Sequence, residues 1–111
     1  MRTLWCWRCR TDIPMLDEDE WQRVAPLLTA DIRGIKAYRT EHRASLGEAL
    51  KNAQLAGRTE YERITGFHSE NPNSIWHHRV TLYGPPCNFC EKPLRTPRAR
   101  HCAACGRERA G

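Results

Sequence analysis

Cys87-Asn88-Phe89-Cys90 and, eleven residues further on, Cys102-Ala103-Ala104-Cys105-Gly106 are the stretch on which the reading of this chain turns. A CxxC turn points two thiolates at one place. Two such turns close a tetrahedral four-sulfur zinc site that has no open coordination position. A site of this kind builds structure and does no chemistry at the metal, which argues for a binding protein over an enzyme. The segment is short and polar, so part of its folding free energy must come from the metal.

Around these four cysteines, residues 87–106 carry a polar hairpin with Pro97 near its middle and His101 directly before the second pair, which ends in Gly106. In that pattern the stretch resembles the short zinc-ribbon modules of bacterial and archaeal proteins. The resemblance covers about twenty residues and implies that Cys87, Cys90, Cys102 and Cys105 are zinc ligands. It also implies a structural module that joins its carrier to proteins or to nucleic acids. Two positions depart from the pattern. Glu91 replaces the usual Gly after the first pair, and His101 stands where an aromatic is common, which predicts that its ring packs on the ribbon.

The chain has six cysteines, and Cys6-Trp7-Arg8-Cys9 forms a third pair. Three readings are open for it. Cys6 and Cys9 can bind a second zinc with histidines, drawn from His68, His77, His78 or His101, with Asp12 as a further candidate. They can pair with one of the C-terminal CxxC turns, or they can stay reduced thiols. His77 and His78, if on a strand, point to opposite faces, so only one of them easily joins such a site. The expected cofactor is therefore zinc, with one ion in the ribbon and room for two in all.

Ahead of the ribbon the periodicity is mostly helical, and the expected fold class is α+β: a mainly helical middle, one or a few strands, and a C-terminal four-Cys zinc ribbon. The expected division is residues 1–86 as a small helical domain with an N-terminal CxxC arm, and residues 87–111 as the ribbon. Asp17 and Glu20 form a capping box before Trp21, Val24, Ala25, Leu28 and Ile32 at helical spacing. Pro26 should kink or split this helix near Ala25. A second pattern covers residues 35–42. A third opens on the Ser45/Glu48 box and ends at Gly57, and a fourth opens on Thr59/Glu62 and stops at Gly66. Residues 67–74 read as a loop by composition. Residues 75–83 alternate like a strand, ended by Gly84-Pro85-Pro86.

The formal charge is +5, and the segment from Cys87 onward holds six basic and two acidic residues. Zinc with four thiolates carries about −2, so the metal-loaded chain stands near about +3. The basic balance is therefore weak evidence for nucleic acid. No apolar run approaches the ~20 residues that span a bilayer, and the N-terminal residues lack the apolar core of a signal peptide. A reducing, cytoplasmic setting and no membrane partner are expected, which also favours metal ligation over disulfides.

Phosphate loops, HExxH helices and GxSxG elbows are absent from the sequence, and no enzyme activity is expected. The expected function is a small non-catalytic zinc-binding module of bacterial type that binds a protein partner, by analogy of size with immunity proteins that neutralise toxins. The alternative is nucleic-acid binding. Trp5, Trp7 and Arg8, together with Arg95, Arg98 and Arg100, are the candidate contact residues. Trp and Arg suit either a protein hot spot or base stacking against a phosphate-binding strip.

Overall fold

In a computed structural model of the protein, which describes residues 1–109, two strands and four α-helices follow in the order β1 Arg2–Cys6, β2 Thr11–Met15, α1 Glu18–His42, α2 Leu46–Asn52, α3 Ala56–Thr65 and α4 Pro72–Ile75, with a 3-10 turn at Val80–Leu82. The fold is α+β. The chain forms two compact units: Met1–Glu18 joined by the chain from His77 onward, and Asp19–Trp76. The sequence division at residue 86 lies inside the first unit.

The N-terminal arm is an antiparallel hairpin. Its register runs from Arg2 opposite Met15 to Cys6 opposite Thr11. Cys6, Ile13 and Met15 are buried on it, and Leu4, Val80 and Tyr83 pack against them. The stretch expected as a strand over residues 75–83 is corrected by the structure. Asn71 caps a short helical turn by accepting from the Asn73 N–H at 3.0 Å, with Pro72 at its first position. Asn-Pro is a helix-start signature that outweighs the alternation of apolar residues behind it. Within residues 77–83 the strand character is limited to one parallel bridge, Leu16 to Arg79. The Leu16 N–H donates to the His78 carbonyl at 2.8 Å, and the Val80 N–H donates to Leu16 at 2.9 Å. Arg79 then grips Glu18 through two hydrogen bonds of 2.7 Å. These contacts fix the position of His78.

The C-terminal part of this unit is built from two small hairpins, marked by the bridges Pro86 to Pro93 and His101 to Glu108. Cys87, Leu94 and Cys102 are its buried centre. Gly84 is needed where it sits, because a Cβ there would lie 2.4 Å from the Thr96 carbonyl oxygen.

In the second unit α1 is one helix of 25 residues, and Pro26 does not split it. Pro26 and Gln22 are both exposed, so water can take the Gln22 carbonyl that proline leaves unbonded. The patterns read over residues 17–32 and 35–42 belong to this single helix. Its buried stripe is Trp21, Val24, Leu28, Asp31 and Ile35, whereas Ile32 is exposed. Asp31, 3% exposed, accepts from the backbone N–H groups of Gly57 at 3.1 Å and Arg58 at 3.0 Å. It caps α3 from another helix, and that is why α3 starts at Ala56, ahead of the Thr59 box. Gly57, expected as a helix stop, is thus inside a helix, and α2 ends at Asn52. Ser45 caps α2 by accepting from Glu48 N–H at 3.1 Å. Gly66 ends α3 with φ of 73°.

Candidate metal centres

The ribbon cysteines come together through their turns. The Glu91 N–H donates to the Cys87 carbonyl at 2.9 Å, and the Gly106 N–H donates to the Cys102 carbonyl at 2.8 Å. In each turn the residue after the second Cys takes a left-handed conformation, with φ of 65° at Glu91 and 76° at Gly106. The usual Gly is therefore replaced at residue 91 with the same turn geometry retained. Each turn folds its two side chains to one side. Cys90 Sγ lies 3.4 Å from Cys102 Sγ, and Cys87 Sγ lies 3.7 Å from Cys105 Sγ.

All four sulfurs are within 4.8 Å of one another. Tetrahedral zinc with bonds of about 2.3 Å sets sulfurs about 3.8 Å apart, so the donor set fits that ion. The six cysteines are unbridged thiols. Backbone N–H groups of Cys90 and Phe89 hold the Cys87 thiol down to about 6, and those of Cys105 and Ala104 lower Cys102. Against the Lys92 N–H, which lowers it, burial and the Cys102, Cys87 and Cys105 thiols push Cys90 up to about 11, so the turns favour the thiolate at the first cysteine of each pair.

A second group forms in the same unit. Cys6, Cys9 and His78 place their ligand atoms within 4.8 Å of one another. His78 Nε2 is 3.4 Å from Cys9 Sγ. Burial, with His77 next to it, holds the His78 imidazole down to about 4, which leaves the ring neutral at pH 7. Tyr83, a residue without a motif in the sequence, borders the group. Its hydroxyl is 3.6 Å from Cys6 Sγ and donates to the His77 carbonyl at 2.6 Å.

The other histidines and the aromatic residues singled out by sequence go elsewhere. His77 offers its backbone carbonyl to Tyr83. His68 sits in the second unit, 3.3 Å from Glu62. His101 is exposed, 3.6 Å from Glu108, and does not pack as expected. Trp7 is half-buried and donates its ring N–H to the Pro93 carbonyl at 3.0 Å. Lys92 Nζ sits 3.8 Å above the half-buried Trp5 ring. Both tryptophans therefore tie the N-terminal hairpin to the first ribbon hairpin. Arg8, Arg95, Arg98 and Arg100 are exposed. Sequence reading did not single out Arg107 and Phe89 as a pair. The guanidinium lies 4.1 Å over the ring, and Phe89 is 57% exposed.

Among the described residues no helix is long and apolar enough to cross a membrane. Comparison of the chain with family models, with curated proteins and with solved structures finds no match.

Proposed function

We propose that this protein is a zinc-binding module of the ribbon type, whose four-cysteine metal is structural and whose work is to bind another protein. The observation that carries the reading is the closure of Cys87, Cys90, Cys102 and Cys105 on one point. Four protein thiolates fill a tetrahedral zinc and leave no place for substrate or water. The balanced charge of the preceding chain, with twelve basic and eleven acidic residues before Cys87, supports a protein partner over a polyanion. An immunity-type inhibitor of a toxin is the kind of protein partnership that this size suits.

One observation favours a second reading, nucleic-acid binding. Arg107 stacked on the exposed Phe89, with Arg95, Arg98 and Arg100 exposed in the segment that joins the two hairpins, is the pairing that stacks unpaired bases and meets phosphates. Titration of the zinc-loaded protein with a mixed-sequence single-stranded RNA and DNA at two salt concentrations separates the readings. Binding that weakens roughly tenfold or more between 50 and 200 mM salt, and is lost in Phe89→Ala and Arg107→Glu, establishes the second. No binding at low salt leaves the protein partner. Zinc content that is unchanged by Cys87→Ser and Cys102→Ser together would remove the structural basis of both.

A further inference from the structure

The N-terminal CxxC turn is closed by the same backbone hydrogen bond as the two ribbon turns. The Arg10 N–H donates to the Cys6 carbonyl at 2.8 Å, as Glu91 does to Cys87 and Gly106 to Cys102. Arg10 takes the same left-handed conformation, with φ of 55°. The residue before each first cysteine pairs with the residue six positions after that cysteine: Trp5 with Asp12, Pro86 with Pro93, and His101 with Glu108. Left-handed φ is costly for arginine, so its presence is a constraint of the turn and not a preference of the residue.

Two of the three turns close on each other. The third meets His78, held in place by the Leu16 bridge and the Arg79–Glu18 pair. Zinc with one sulfur and one imidazole ligand sets S and N about 3.5 Å apart, and the Cys9–His78 distance is 3.4 Å. Among the described residues the group holds three ligand atoms, and Cys9, at its edge, is exposed.

We propose that Cys6, Cys9 and His78 form a second zinc site with three protein ligands, whose fourth position is open to water or to a small exogenous donor. This goes beyond the reading given above, because a closed four-sulfur site cannot exchange a ligand and a three-ligand site can. A bare thiol–imidazole hydrogen bond also accounts for the Cys9–His78 distance. It does not account for Cys6 Sγ, which lies within 4.8 Å of both partners as a third ligand atom.

Native mass spectrometry of the zinc-loaded protein tests the site. About two zinc ions per chain are expected, falling to about one in His78→Gln and Cys9→Ser, and to about one in Cys102→Ser/Cys105→Ser. About one ion in the native chain, lost only with the ribbon cysteines, overturns the second site and leaves the ribbon intact. About one ion lost only with Cys9 overturns the ribbon reading instead. Should His78→Gln fail to fold, iodoacetamide labelling of the native chain decides. Cys9 must be protected with zinc and labelled after chelation, and labelling that is equal in both states overturns the proposal. Imidazole or azide added to the cobalt-substituted protein must shift its visible absorption. A spectrum unmoved by either closes the fourth position and refutes the open site.

Discussion

Three side chains sit where glycine would be easier, Arg10, Arg43 and Glu91, and the first and last of them close CxxC turns. Arg10 and Glu91 hold left-handed φ values of 55° and 65°, which cost a non-glycine residue about 1–2 kcal/mol. Glycine there gives back part of that in the unfolded chain. Arg10→Gly and Glu91→Gly should therefore each stabilise the zinc-loaded protein by about 0.5–1 kcal/mol, read from chemical denaturation at fixed free zinc. A loss of stability in either variant would mean that the turn is not strained. Glu91 was legible as a departure from the CxxCG pattern. Arg10 was not, because nothing in Cys6-Trp7-Arg8-Cys9 shows that the next residue closes the turn in a left-handed conformation. His78 was legible only as one of several histidines. Its selection depends on the Leu16 bridge, which joins positions far apart in sequence.

At the level of elements, the helical unit turns on Asp31. Its carboxylate caps α3 through the N–H groups of Gly57 and Arg58. Asp31→Ala removes both acceptors and leaves buried donors unpaired, so it should cost about 2 kcal/mol, seen as a lower thermal midpoint of the helical signal. Gly57 gives a test of opposite sign. Glycine to alanine inside a helix ordinarily gains about 1 kcal/mol. Here a Cβ would lie 2.7 Å from the Leu28 backbone nitrogen and 2.8 Å from Asp31 Oδ2, so Gly57→Ala should destabilise, and a stabilised variant would refute the packing. The sequence misplaces these boundaries for a physical reason. Gly57 looks like a stop and Thr59 like a cap because local rules assume that a helix is capped by its own neighbours. Asp31, 26 positions away from Gly57, overrides them. The same local reading finds Ser45 and Gly66 correctly, since both act on their own helices. The strand expected over residues 75–83 fails because alternation of apolar letters carries no information about whether a partner strand exists.

For the molecule as a whole, the metal groups lie in one unit and α2, α3 and α4 in the other. Removal of zinc with a chelator should therefore abolish the near-ultraviolet signal of Trp5 and Trp7 and keep most of the far-ultraviolet helical signal. Loss of both signals together on chelation would show that the helices depend on the metal. The four-cysteine module was legible because its ligands are close in sequence. The unit that contains it was not, because its two halves are separated by the whole of Asp19–Trp76. That interruption has a consequence for biosynthesis. Cys9 leaves the ribosome 69 positions ahead of His78, a delay of roughly 3–14 s at ordinary rates of translation. The helical segment emerges in one run during that interval and can finish folding first. Cys6 and Cys9 wait for His78 until that segment is out, and the length of the inserted helices sets how long their thiols stand uncovered in the nascent chain.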